Sequence, residues 1–162
     1  MKMRVGFGYD VHAFSQGRAL VLGGVTIPFH SGLSGHSDAD AVIHAVVDAL
    51  LGAAALGDIG SHFPSNDMRW KDQPGAVFLT YTHNLLEQHH YAINNIDTTI
   101  VAEQPKLSPY IEAMRVHLAQ HLGLAIGQVS VKATTTDGLG FSGRREGIAC
   151  YAVALVEQQE NL

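Results

Sequence analysis

Along the chain, runs rich in Val, Ile and Thr and bounded by Gly, Pro, Asn or Asp alternate with longer apolar stretches that carry polar residues at helical spacing. The first kind predicts strands at Val5 to Asp10, Leu20 to Leu22, Tyr91 to Val101, Val129 to Thr134 and Ile148 to Val156. The second predicts helices at Ala39 to Leu56, Gly75 to His89 and Pro109 to Leu122. The last of these opens on Ser108-Pro109, with Ser as N-cap and Pro at the first helical position, and stops at Gly123. In the first helix Asp40, His44 and Asp48 fall four residues apart on one face of an otherwise apolar segment, which reads as a buried helix with one polar edge rather than a membrane span. Gly57 to Pro74 collects Gly, Pro, Ser, Asn and Asp and reads as a long loop, a kind that is commonly functional or disordered. No internal repeat or low-complexity tract appears, and strands alternating with helices predict an α/β fold, an α+β sandwich.

Composition narrows the class of function. A chain of 162 residues that is 46% hydrophobic and 15% charged is expected to form a single domain over residues 1–162 with one core. A net charge of −5 without a basic stripe argues against a nucleic-acid surface. The surplus of apolar residues fits cover by other subunits. The one cysteine, Cys150, lies within the apolar run Ile148 to Val156 and reads as a small buried hydrophobe, natural in a reducing cytoplasm. Met1-Lys2-Met3-Arg4 leads directly into a strand rather than a signal sequence, so a cytoplasmic protein that is neither exported nor membrane-anchored is expected.

The chemistry concentrates in a few segments. In Tyr9-Asp10-Val11-His12 a carboxylate and an imidazole two residues apart point to the same side of a strand. His44 follows Asp40 at helical spacing. Asp10, His12 and His44 converging from two elements suit one zinc-like ion with a fourth position left for water or substrate. A plain hydrogen-bond cluster at a strand end is the other reading. His36-Ser37-Asp38 precedes the first helix, where free amides could bind an anion or could simply be capped by Ser37 or Asp38. Thr134-Thr135-Thr136-Asp137-Gly138 runs from a strand into a Gly-rich loop, which fits phosphate binding or ordinary turn chemistry; it is no Walker loop. Ala102-Glu103-Gln104-Pro105-Lys106 ends a strand with a turn presenting one cation.

In order along the chain, Gly8-Tyr9-Asp10-Val11-His12, Gly35-His36-Ser37-Asp38, Asp48 to Gly60, Phe63-Pro64, Pro105-Lys106, Lys132 to Asp137 and Gly143 to Gly147 resemble the 2C-methyl-D-erythritol 2,4-cyclodiphosphate synthase family of the non-mevalonate isoprenoid pathway. The resemblance implies a mixed sheet packed against helices and a homotrimer with active sites at subunit interfaces. It implies that Asp10, His12 and His44 hold Zn2+, that Mg2+ or Mn2+ joins the substrate diphosphate with help from Asp137, and that His36 and Thr135 stabilise the transition state. Ser37, Asp58, Gly60, Phe63 and Asp67 would hold the phosphate and methylerythritol part of a small-molecule cytidine diphosphate substrate. Ala102, Pro105, Lys106, Leu107, Ser108, Ala133 and Thr134 would cradle its cytidine diphosphate part. Phe141 and Arg144 would line the substrate pocket and an axial cavity suited to an isoprenoid diphosphate.

The implied reaction is attack of the 2-phosphate of 4-diphosphocytidyl-2C-methyl-D-erythritol 2-phosphate on the phosphorus bearing the sugar, with CMP expelled. That nucleophile is ionised near neutral pH, which agrees with a sequence in which no general base stands out. Two departures accompany the resemblance: Asp137 stands where many members carry Glu, and the lip reads Ser65-Asn66-Asp67 where relatives often place an acid first. The rival readings are a non-catalytic binder of metal and phosphate, and a zinc hydrolase with Asp40 as its base.

Overall fold

The structure is a computed structural model that describes residues 2–159; Met1 and residues 160–162 of the expected single domain lie outside the described residues. Seven strands and five α-helices follow in the order β1 (Lys2–Ser15), β2 (Leu20–Leu22), β3 (Val25–Ile27), β4 (Gly32–Leu33), α1 (Ala41–Ala54), α2 (Ile59–His62), α3 (Gly75–Gln88), β5 (Tyr91–Val101), α4 (Ile111–Leu122), β6 (Val129–Thr134), α5 (Gly140–Gly143) and β7 (Gly147–Gln158). A mixed five-stranded sheet has the order β4-β1-β7-β5-β6, with β2 and β3 forming a separate hairpin. Only β5 and β6 pair in parallel; β1 with β4, β1 with β7 and β5 with β7 are antiparallel. The α/β expectation therefore stands, with helices on one face of the sheet.

The alternation within β1 decides which face is covered. Gly6 and Gly8 are buried, whereas Val5, Phe7, Tyr9 and Val11 are exposed on the opposite side. A Cβ on Gly6 would lie 1.8 Å from the Ala49 carbonyl oxygen, and one on Gly8 1.9 Å from that of Ala45. The glycines thus let α1 press its Ala45, Ala49 and Ala53 stripe directly on the strand. Asp10 and His12 continue the same face of β1, past the glycines, and this brings them to His44 on α1.

Several boundaries differ from the pattern-based expectations for physical reasons. Helix α1 begins at Ala41 because Asp40 is its N-cap, accepting from the Ile43 amide. Ser108 and Pro109 belong to a 3-10 turn, Ser108–Tyr110, so Ser108 does not cap α4, which starts at Ile111. The stretch Gly57 to Pro74 is not a bare loop: Asp58 caps α2, and Asp67 caps a 3-10 turn at Met68–Trp70. Strands β3 and β4 span too few residues to carry a period. No helix among the described residues is long and apolar enough to cross a membrane.

Candidate metal centre and substrate pockets

Where β1 leaves its contact with α1, three ligand atoms converge: Asp10 Oδ2, His12 Nε2 and His44 Nδ1. The nitrogens lie 2.7 and 3.1 Å from the oxygen and 3.2 Å from each other. Ligands bonded to a tetrahedral zinc-like ion at roughly 2.0–2.1 Å stand about 3.3 Å apart, so the triangle has the size a small divalent cation requires. Among the described residues this is the one group of three His, Cys, Asp or Glu side chains gathered closely enough to hold an ion.

The outer partners fix which nitrogens are available. His12 Nδ1 donates to the Ser34 carbonyl at 2.6 Å, which turns Nε2 toward Asp10. His44 Nε2 lies 3.1 Å from Ser37 Oγ, which turns Nδ1 into the cluster. Burial pushes the Asp10 carboxyl up, but its hydrogen bonds to His12 and His44 outweigh this and bring it down to about 2. Burial lowers His12, yet the Asp10 hydrogen bond and charge carry it above its ordinary value. A cation would replace the proton these groups share.

A cavity of about 220 Å³ opens beside the cluster. His12, His36, Ser37 and His44 form its polar side; Ile59, Gly60, Phe63, Ser65, Trp70 and Phe78 form the rest. Phe63 packs edge-on against Trp70 and Phe78 with centroids 4.9 and 4.7 Å away. The polar side is held from outside: Arg18 donates to the carbonyls of Gly35 and Ser37, and His36 Nε2 donates to the Asp67 carbonyl at 3.3 Å. Asp48 accepts from the Ile59 amide at 2.9 Å and so anchors the α2 side of the cavity, which accounts for its place on the polar edge of α1.

A second cavity, of about 450 Å³, lies between the segment Ala102 to Ser108 and the end of β6 at Ala133, Thr134 and Thr135. All seven residues expected to cradle the cytidine diphosphate line it, together with Glu103, Gln104 and Thr135. The two cavities share no residue. Asp137, with a left-handed φ of 52°, accepts from Thr135 Oγ1 at 3.3 Å just beyond the second one. Phe141 is partly exposed, and Arg144 donates to Glu146 at 2.9 Å on the surface; both stand outside the two cavities.

One rival reading fails. Asp40 is no base beside a metal: its carboxylate is fully buried and accepts from the amides of Gly23, Gly24 and Ile43 at 2.8, 2.6 and 3.1 Å. Burial and the neighbouring Asp38 push it up to about 6 against those amides. The cap of α1 is accordingly Asp40, through the Ile43 amide, rather than Ser37 or Asp38. Asp38 reaches instead to the Gly75 amide at 2.7 Å, across the start of α3. Cys150 is buried as expected, and burial pushes its thiol well above the ordinary value, which leaves no nucleophile there.

Among known proteins, the YgbB family matches residues 3–157. The chain belongs to the YgbB family. A YgbB relative from Pelotomaculum thermopropionicum, called 2-C-methyl-D-erythritol 2,4-cyclodiphosphate synthase, is 59% identical over 156 residues, which is 96% of either chain. Among solved structures, the bifunctional IspDF from Campylobacter jejuni superposes with a TM-score of 0.94 at 38% identity over 98% of this chain; the chain spans 43% of that longer protein. IspF of Plasmodium falciparum, solved as a CDP complex, gives a TM-score of 0.85 at 34% identity, covering 98% of this chain and 97% of that one.

Within this YgbB chain, several contributors carried no sequence signal. Arg18, Ser34, Trp70 and Phe78 act through partners distant in sequence, and neither periodicity nor motif spacing points to them. Ser37, expected on substrate oxygens, lines the first cavity and is largely buried, with its Oγ within hydrogen-bond distance of His44 Nε2. The Asp58 carboxylate caps α2 through the Ser61 amide, and that of Asp67 takes the Arg69 amide and guanidinium.

Proposed function

We propose that this chain converts 4-diphosphocytidyl-2C-methyl-D-erythritol 2-phosphate into 2C-methyl-D-erythritol 2,4-cyclodiphosphate and CMP, as a phosphorus–oxygen lyase in isoprenoid precursor biosynthesis in the cytoplasm. The observation that carries the reading is the pairing of a three-ligand cluster with a separate cavity between Ala102–Ser108 and Ala133–Thr135, in a chain so close to relatives bearing that name. Residues 1–162 act as one domain.

In this reading Asp10, His12 and His44 hold Zn2+. A zinc ion held there, and Mg2+ or Mn2+ held with help from Asp137, would supply positive charge to phosphate oxygens. The 2-phosphate oxygen forms the new bond to the phosphorus bearing the sugar as the bond from that phosphorus to CMP breaks, so the protein's task is alignment and charge compensation. His36 and Thr135 donate to the phosphoryl oxygens as charge shifts between them. The cavity beside the cluster takes the methylerythritol, with Gly60 and Phe63 against it and Ser37, Asp58 and Asp67 at its rim. Lys106, with Ala102, Pro105, Leu107, Ser108, Ala133 and Thr134 around it, takes the cytidine diphosphate half.

The working unit is a homotrimer with active sites between neighbours. Support comes from the uncovered face of the sheet, where Val5, Phe7, Tyr9 and Val11 of β1 stand beside Tyr151 and Val153 of β7, all at least 40% exposed. An apolar face of that extent is an association surface rather than a solvated one. Phe141 and Arg144 fall to the axial side, where an isoprenoid diphosphate would be held.

Phosphorus NMR of the protein with the diphosphocytidyl substrate and Mg2+, with and without a zinc chelator, tests the proposal. Chelator-sensitive appearance of a cyclic diphosphate together with CMP is expected. Binding without turnover would replace the synthase by a non-catalytic binder, and release of inorganic phosphate would replace it by a hydrolase.

A further inference from the structure

One carboxylate among the residues that line the second cavity is bonded across it to the protein itself. Glu103 follows the last strand residue of β5 by two positions, and its Oε1 accepts from the Thr136 amide at 2.9 Å and the Gly138 amide at 3.3 Å, while the Thr136 hydroxyl donates to the Leu139 carbonyl at 2.6 Å. Between those two amides the backbone curls through left-handed Asp137 (φ 52°) and Gly138 (φ 82°). Amides gathered by such a curl form a concavity for an anion, and here the anion belongs to the chain. The Gly138 and Thr136 amides hold the Glu103 carboxyl below its ordinary value.

The bonds join two segments that are 33 residues apart and form opposite walls of the same cavity. On one wall is the segment carrying Lys106. On the other is Thr135, with Asp137 just beyond it and linked to it through the Thr135 hydroxyl. Beyond the backbone bond from the Ala102 amide to the Thr134 carbonyl, the strand pairing has ended and the loop has no ladder to hold it. Bonds between Thr136 and Leu139 shape the loop internally, and Glu103 ties it to the opposite wall.

We infer that Glu103 is a positioning residue whose Oε1 locks the Thr135–Gly138 loop at the angle turnover requires. The inference rests on the cyclase reading above as far as turnover is concerned, while the lock itself is a property of the unliganded protein. Removing it frees Thr135 and Asp137 together. Placement errors of about 1 Å at a reacting centre cost on the order of 100-fold in rate.

The test compares Glu103→Ala and Glu103→Gln with the unsubstituted protein. Gln retains the Oε1 acceptor and Ala does not. Amide hydrogen exchange at Thr136 and Gly138, read by NMR without substrate, is expected to speed up at least about tenfold in Glu103→Ala and to stay within about threefold in Glu103→Gln. Turnover is expected to fall about 10- to 100-fold in kcat for Glu103→Ala, with KM moved less than kcat, and to be largely rescued in Glu103→Gln. Unchanged exchange in Glu103→Ala overturns the lock. Faster exchange with unchanged kcat overturns its link to turnover. An unsubstituted protein that binds but does not cyclise instead removes the functional reading, and the exchange result still decides the lock.

Discussion

Asp10 and Ala133 stand in one register row of the sheet, three strands apart. Asp10 pairs with Cys150, Cys150 with Ile100, and Ile100 with Ala133. At the usual 4.7–4.9 Å between strands the two ends of the row are about 14 Å apart. Cys150 and Ile100, between them, are both 0% exposed. The metal cluster and the wall of the second cavity are therefore at one end of the same sheet, with closed core along the row between. On the proposed function, a substrate that touches both the three-ligand cluster and the second cavity would be served more directly by two neighbouring subunits.

That arrangement predicts complementation. His44→Ala lacks the cluster but keeps the second cavity; Lys106→Ala has the reverse defect. In a cyclic trimer whose sites each combine one half from either neighbour, every mixed trimer contains one intact site of three, so random co-assembly restores about a quarter of full activity. Co-expressed variants carrying different affinity tags, purified through both, provide the assay, and these selected mixed trimers should reach about a third of full activity. Recovery no greater than the sum of the separate variants would show that each site is complete within one subunit.

Ser37 Oγ, 3.1 Å from His44 Nε2, sets the tautomer that presents Nδ1 to the cluster. Ser37→Ala should weaken zinc binding by about 10- to 100-fold, the range found for losing an outer partner of a ligating imidazole. Competition against a chromophoric chelator measures it. Thermal melting of the metal-free variant should move little, and unchanged zinc affinity would show that Ser37 serves only the substrate.

The cluster also fixes a pH dependence. Asp10 is depressed to about 2, so in the metal-free protein its contribution to stability is present above the ordinary carboxylate value and is lost as pH falls toward 2. His12 is raised, so its contribution is complete below the ordinary imidazole value and disappears as pH rises through its folded one. A metal needs His12 Nε2 unprotonated. Zinc affinity should accordingly climb about tenfold per pH unit below the raised His12 value and level off above it. Chelator competition from mildly acidic to mildly alkaline pH follows this directly, and a flat profile would contradict the shared proton.

The legible parts of the site were those set by local spacing. Asp10 and His12 share a face because a strand has period two, and β5 and β6 were bounded correctly because their branched runs end at turn residues. What stayed hidden depends on partners distant in sequence. Asp40 looked like part of a polar helix edge, and only the hairpin turn at Gly23-Gly24 makes it a buried cap. Asp48 had no assigned role until α2 appeared, and α2 is too short to show a period. Glu103 was visible only as one residue of a turn, since its partners come from the far side of the cavity.

The metal centre depends on how closely α1 can approach β1, and two glycines separate that geometry from generic helix stability. A Cβ on Gly8 would lie 1.9 Å from the Ala45 carbonyl oxygen and 2.8 Å from the Ala49 amide nitrogen, both backbone atoms with no rotamer to give. Gly8→Ala therefore has to push α1 away from β1. Ala45 directly follows His44, so the shift opens the 3.1 and 3.2 Å contacts of His44 with Asp10 and His12. The variant should lose about 1–3 kcal/mol of stability or more from overpacking, and zinc affinity with it. Gly52→Ala, in the same helix, meets nothing within 4 Å and should instead gain roughly 0.5–1 kcal/mol from helix propensity with zinc affinity unchanged. Melting curves of the metal-free proteins and zinc competition on both variants separate the two effects. Equal zinc affinity in Gly8→Ala and the unsubstituted protein would mean that His44 is held in place by something other than the packing of α1 on β1.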